Sequence, residues 1–301
     1  MGSHWYDLDR GIAIYETETK DGNPTPVTIR HAKAWSKSGI ARLGVGSSTI
    51  AGMCTASEGG LLKWGIDHAL RLTASALRID PELTDSDLAS IVEAGMDEVR
   101  GDQRGEWIHA EAGKWLDGGQ PALEAAPQPA PEAAPWVYAL QSALESLPGD
   151  WQRVRWESEQ VYVNPTCGYG CRADIMGTGP DTLYCLDIKT KSVEDMDRAI
   201  NGHRDKRGKL IKKRLAWDSH AAQLAANFAA WRATVGETKA SHVVYGNIFL
   251  ARELNDAGDV LWKVHNWTPA EIARGWDLFT AAFELFCLQR DYDPRKISEG
   301  E

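Results

Sequence analysis

The chain has 301 residues, 43% of them hydrophobic, which suffices for one large domain or two small ones. Its formal net charge of −10 gives no global attraction for nucleic acid, so such a partner requires a local basic surface. Five cysteines without a repeated spacing argue against a disulfide framework and fit a reducing compartment. No apolar run reaches membrane-spanning length and no secretory signal opens the chain, so the expected location is the cytoplasm.

In chain order, residues 1–35 read as loops and short strands. The glycine-rich Gly44-Val-Gly-Ser-Ser48 is no phosphate loop, because no Gly-Lys-Ser/Thr follows it. Residues 61–72 have helical periodicity, residues 85–100 read as a helix with Thr84 or Ser86 as its cap, and a further helix starts near Arg104. Residues 40–116 thus form a helical N-terminal part. Prolines 121, 127, 129, 131 and 135, set among alanines and glutamates, make 118–135 an extended loop. It is read as an insertion within a single domain spanning 1–301, because residues on both sides of it join in the chemistry below.

Residues 136–147 read as a helix and 154–163 alternate like a strand. A β-hairpin follows, with Gly177-Thr-Gly-Pro-Asp-Thr182 as its turn. Residues 213–234 form a strong helix, and 242–251 with 259–266 form a second hairpin around Asn255-Asp-Ala-Gly258. Thr268 caps a last helix running to about residue 290, with Pro269 at its first position and Glu271 at its third. Strands in the middle with helices on both sides predict an α/β fold, a central mixed β-sheet flanked by helices.

The first hairpin carries the chemistry. Side chains on a strand alternate faces, so Asp187 and Lys189 point the same way. If Met176 pairs with Leu183, Asp174 falls opposite Cys185 and joins that face. A bland alternative is a solvated edge pair. Against it, 183–188 is a nearly continuous apolar run, and charges ending a buried strand are costly without a partner or a job. Two carboxylates and an ammonium suit a hard divalent cation and the hydrolysis of a phosphodiester. Residues 198–214 hold eight basic residues and one acid. Arg204, Lys206, Arg207, Lys209, Lys212, Lys213 and Arg214 are expected to contact DNA phosphates, on a loop that Gly202 and Gly208 leave flexible until DNA orders it.

Four motifs stand in order: Gly105-Glu-Trp-Ile-His109, Gly170-Cys-Arg-Ala-Asp174, Asp187-Ile-Lys189-Thr190 and Gln223-Leu-Ala-Ala-Asn227. Over roughly residues 40–290 they resemble the motifs of PD-(D/E)XK nucleases of the RecB-like and phage-exonuclease kind, with Asn227 where that family's helix carries Tyr. Ser47-Ser-Thr-Ile50 with Leu61-Leu-Lys-Trp64 is similar to the N-terminal region of phage members. The resemblance implies a restriction-endonuclease-like core. It implies Mg²⁺ or Mn²⁺ held by His109, Asp174, Asp187 and the Ile188 carbonyl. Glu159 would complete the shell, with Glu157 left at the surface; Lys189 and Gln223 would act on the phosphate or the attacking water. Some relatives hold an iron–sulfur cluster on one upstream and three C-terminal cysteines; only Cys287 lies near this end, so no cluster is expected. The implied activity is a metal-dependent DNA exonuclease of recombination or repair that leaves 5′-phosphate ends. An endonuclease on the same fold and a non-catalytic DNA-binding module are the alternatives. Implied partners are DNA, with a single-strand annealing protein and further copies of the chain as candidates, and no membrane. The location would be a bacterial host's cytoplasm for a phage-encoded protein.

Overall fold

The computed structural model describes residues 4–18, 22–54, 84, 87, 102–117, 129–236 and 240–296. The strands are β1 (Trp5–Asp7), β2 (Ile12–Ile14), β3 (Glu16–Glu18), β4 (Pro24–Pro26), β5 (Leu43–Gly46), β6 (Arg155–Asn164), β7 (Tyr169–Thr178), β8 (Thr182–Lys191), β9 (His203–Arg204), β10 (Leu210–Ile211), β11 (His242–Ala251) and β12 (Trp262–Trp267). The helices are α1 (Ile29–Lys37), α2 (Ser47–Met53), α3 (Asp102–Asp117), α4 (Ala134–Glu145), α5 (Val193–Ile200), α6 (Asp218–Val235) and α7 (Pro269–Arg290).

One mixed sheet organises the chain, in the order β12-β11-β8-β7-β5-β1-β2, with β6 also paired to β7. The β8–β11 and β5–β7 pairs are parallel and the others antiparallel. Neighbouring residues of β8 show what covers each face. Tyr184 Oη donates to the Pro148 carbonyl just beyond α4, and Cys185 Sγ donates to the Leu224 carbonyl of α6. Adjacent strand residues point to opposite faces, so helices cover both sides. The predicted α/β class holds at that level. The stretch predicted as a helical N-terminal part also supplies β5 to the sheet, and the 1–35 region supplies β1, β2 and most of α1.

The turn between β7 and β8 is tighter than predicted. Gly179 N–H donates to the Thr182 carbonyl at 2.8 Å, leaving only Pro180 and Asp181 at the tip. Proline pre-sets the first turn position and Asp favours the next, so the strands zip two residues further. Met176 therefore pairs with Cys185, not with Leu183. A shift of two preserves which face each side chain takes.

Other boundaries moved as well. The helix predicted from Lys213 begins at Asp218, and the second strand of the second hairpin begins at Trp262 rather than Asp259. Pro135, predicted inside the loop, sits in the first turn of α4, where its missing N–H costs nothing. The basic stretch forms a small β9–β10 hairpin, where Asp205 Oδ1 accepts the backbone N–H groups of Arg207 and Lys209. The α7 prediction holds at both ends: Thr268 Oγ1 accepts from Glu271 N–H, and Glu271 Oε2 accepts from Thr268 N–H at 2.8 Å. Thr84 Oγ1 accepts from Asp87 N–H at 3.2 Å, the bond that a cap would make. Residues 61–72, nearly all of 85–100, Ser86, and 118–128 lie outside the described residues.

Candidate functional site

The site forms where the sheet splits. Along one edge β7 pairs with β5 at Tyr169 and Gly170, then with β8 from Ile175 onward. Between these, at Asp174, the strands diverge. Asp174 Oδ2 fills the gap by accepting the Ile188 backbone N–H at 2.9 Å. On the other edge the β6–β7 ladder runs from Arg155 to Asn164 but omits the pair that would join Glu159 to Asp174. Glu159 has φ of 51°, a left-handed conformation that costs a non-glycine residue about 1–2 kcal/mol. The chain bends sharply there. Tyr162 Oη donates to Glu157 Oε2 at 3.2 Å, across a separation that would span roughly 16 Å in a straight strand.

Helix α3 brings the imidazole. His109, Gly113 and Asp117 lie four apart, so they share one stripe facing β6. Asp117 accepts from the Ser158 backbone N–H and hydroxyl, at 3.2 and 2.8 Å. A Cβ on Gly113 would lie 2.9 Å from Ser158 Oγ, so the glycine permits the close approach. His109 Nδ1 then stands 3.6 Å from Asp174 Oδ2 and 3.7 Å from Glu159 Oε1. One nitrogen and two carboxylate oxygens of His109, Glu159 and Asp174 all lie within 4.8 Å of one another. Arg172 Nε holds the second Glu159 oxygen at 2.7 Å.

The electrostatics fit a cation site. Burial, reinforced by the Asp187 carboxylate, pushes Asp174 up to about 6 against the pull of His109 and Lys189. Burial alone would lower the His109 pKa, but Asp174, Glu159 and Asp187 outweigh it and raise it. A proton on the imidazole thus answers the same surplus of carboxylate that a divalent ion would. Two carboxylates and an imidazole are a hard oxygen and nitrogen set that Mg²⁺ or Mn²⁺ would accept.

Beside this cluster runs a buried chain of polar groups. Lys189 Nζ donates to Asp187 Oδ1 at 2.8 Å and to Gln223 Oε1 of α6 at 3.2 Å. Burial lowers the Lys189 pKa, yet Asp187 and Asp174 more than offset it and keep the ammonium charged. Asn247 Nδ2 donates to Asp187 Oδ2 at 2.7 Å, and Trp267 Nε1 donates to Asn247 Oδ1 at 2.7 Å. An indole N–H can only donate, so it fixes the amide with its oxygen toward Trp267 and its NH₂ toward Asp187.

The structure therefore gathers His109, Glu159 and Asp174 in one cluster and Asp187, Lys189 and Gln223 in the chain next to it. Both Asp187 oxygens are engaged by Lys189 and Asn247, so Asp187 borders the three-donor cluster and is not a member of it. The Ile188 N–H faces the same gap, and a strand residue's carbonyl points to the side of its N–H. Glu157 binds Arg155 and Tyr162, away from the cluster. Asn227 is buried and accepts from Ser47 Oγ at 2.8 Å, tying α6 to α2.

Of the expected DNA contacts, Arg204 donates to the Gly208 carbonyl, Lys213 pairs with Asp195, and Arg214 with Asp218. Lys206, Arg207, Lys209 and Lys212 are exposed. Asn247, Trp267 and Arg172 were missed by the sequence reading. A single Asn inside an apolar strand carries no local signature; only its pairing with Asp187 in the parallel ladder gives it meaning.

No protein-family model matches the chain, and no curated protein matches it. No helix among the described residues is long and apolar enough to cross a membrane.

Proposed function

We propose that the protein is a metal-dependent deoxyribonuclease of the PD-(D/E)XK kind, acting as an exonuclease on DNA ends. The observation that carries this reading is the His109, Glu159 and Asp174 donor set lying directly beside the Asp187–Lys189–Gln223 chain. Asp174, Glu159 and His109 would hold Mg²⁺ or Mn²⁺, with the Ile188 carbonyl and Asp187 at the edge of the shell. The cation would supply an activated water and neutralise charge on the phosphate.

The chain's own groups do the rest. Arg172 restrains Glu159 so that Oε1 faces the cluster. Asp187 and Gln223 hold Lys189 Nζ from two sides, aiming the ammonium at the place where phosphate charge develops. Gln223 retains its amide donors for a phosphate oxygen or a water. Lys206, Arg207, Lys209 and Lys212 would meet the backbone of the bound strand.

The test is digestion of end-labelled linear duplex with Mg²⁺, Mn²⁺ or chelator, beside covalently closed DNA. An exonuclease degrades the linear DNA only, depends on the metal and leaves 5′-phosphate ends. Cutting of closed circles would favour an endonuclease. An absence of metal-dependent cleavage on every DNA tested would refute the reading.

A further inference from the structure

A second polar concavity lies on the sheet face that carries Lys189. Directly paired residues share a face, and Lys189 pairs with Phe249, which pairs with Lys263. Lys263 therefore stands two strands from Lys189 on the same side, roughly 10 Å across the sheet. Around it opens a cleft of about 410 Å³, walled by Lys213, Arg214, Lys263, His265 and Arg274. Leu215, Ala216 and Leu278 add apolar surface.

Cations outnumber acids in this cleft. Lys213, Arg214, Lys263 and Arg274 line it with Asp218 and Glu271; Lys213 pairs with Asp195, which leaves three cations to two acids in a chain whose overall charge is −10. The acids are spread thin. Asp218 is shared by Arg214 at 3.1 Å and Arg274 at 3.4 Å. Glu271 Oε2 is taken by the Thr268 N–H and hydroxyl, at 2.8 and 2.7 Å. Among the described residues Lys263 Nζ donates only to a backbone carbonyl, that of Ala199, at 2.9 Å. Among the described residues His265 Nε2 is buried with no hydrogen-bond partner, though the residue lines the cleft. A buried polar atom without a partner is costly, and a turn of the ring toward the cleft would let a ligand satisfy it.

The geometry points to a binding site for a nucleotide, with its phosphate on Lys263, His265 and Arg274 and its sugar or base against the apolar wall. The volume favours a nucleotide over a bare phosphate, since it falls within the range of small-molecule sites. The proposal extends the nuclease reading, because the occupant would be a nucleotide of the DNA strand whose neighbouring phosphate reaches Lys189.

Calorimetry on the full chain at low salt tests it, with deoxyadenosine monophosphate, deoxyadenosine, inorganic phosphate and a short oligodeoxynucleotide as probes. The nucleotide and the oligonucleotide are expected to bind saturably. Both should weaken about tenfold or more in Lys263→Ala and Arg274→Gln, as lost charge-assisted hydrogen bonds require. Arg274 is 73% exposed, so its variant should fold normally. Deoxyadenosine should not bind. Inorganic phosphate binding as tightly as the nucleotide would overturn the nucleotide assignment. No nucleotide binding, or equal binding in both variants, would overturn the site. The two readings fail separately: DNA digestion without nucleotide binding removes only the cleft, and nucleotide binding lost in the variants without digestion removes only the nuclease.

Discussion

The two ladders on either side of the β7–β8 hairpin behave differently. β8 pairs with β11 without interruption from Thr182 to Lys191. Its side chains are buried from Leu183 through Ile188, and Asp187 is fully enclosed. β6 pairs with β7 over a similar length but breaks at one position, Glu159 opposite Asp174, where the backbone is forced left-handed. The unbroken ladder holds Asn247, Asp187 and Lys189 in one hydrogen-bonded chain, which Trp267 of β12 extends. The broken one releases the carboxylates that meet His109. On the proposed reading, the unbroken ladder would aim the Lys189 charge and the break in pairing would let ligands turn inward.

The largest effects should come from the unbroken side. Lys189→Ala and Asp187→Ala are each expected to abolish cleavage, a loss of at least about a hundredfold to a thousandfold, while DNA binding by gel shift survives. Full activity in either variant would break the assignment. Trp267→Phe keeps the ring but removes the donor, leaving the Asn247 amide free to present either end to Asp187. Single-turnover rates should fall about tenfold, equivalent to about 1.4 kcal/mol. Asn247→Leu should cost more, because Asp187 Oδ2 and Trp267 Nε1 both lose their partner.

The broken side makes a subtler prediction. Glu159→Gly and Glu159→Ala should both lose metal affinity, but glycine accepts the left-handed backbone that alanine does not. In urea unfolding without metal the glycine variant should be more stable than the alanine variant by about 1 kcal/mol. Equal stability would mean that the conformation at Glu159 is not strained.

The smallest effect concerns pH. Burial, with the nearby Lys189 charge, pushes His220 down to about 4. An unfolded histidine titrates near 6.5, so between these values the unfolded state binds more protons. This contribution is complete above about 6.5 and is lost as pH falls toward 4. His220→Gln should flatten the acid side of the stability–pH curve over that window. An unchanged slope would show that His220 is not held neutral.

Local signals carried much of the fold into the sequence. Thr268-Pro-Ala-Glu271 specifies a helix start by itself, and the structure begins α7 there. Alternation placed Asp174 with Asp187 and Lys189 even though the hairpin register was off by two, because an even shift leaves faces unchanged. What stayed illegible depends on tertiary partners. Asn247 and Trp267 gain their roles from strands about 60 and 20 residues away from theirs. Glu159 adopts a glycine-like conformation without being glycine. α1 was missed because Gly22, Pro24, Pro26 and the charges around them made 1–35 read as loops and short strands, although Ile29, Ala32 and Trp35 recur at helical spacing and pack on the core.

The most direct test of the central claim is a calorimetric Mn²⁺ titration of the full chain and of Asp174→Asn, Glu159→Gln and His109→Gln, with Lys263→Ala as a control outside the cluster. Saturable binding to the unaltered protein and to the control, weakened about tenfold or more in each of the other three, is the predicted result. Absence of binding, or affinity indifferent to all three substitutions, would contradict it.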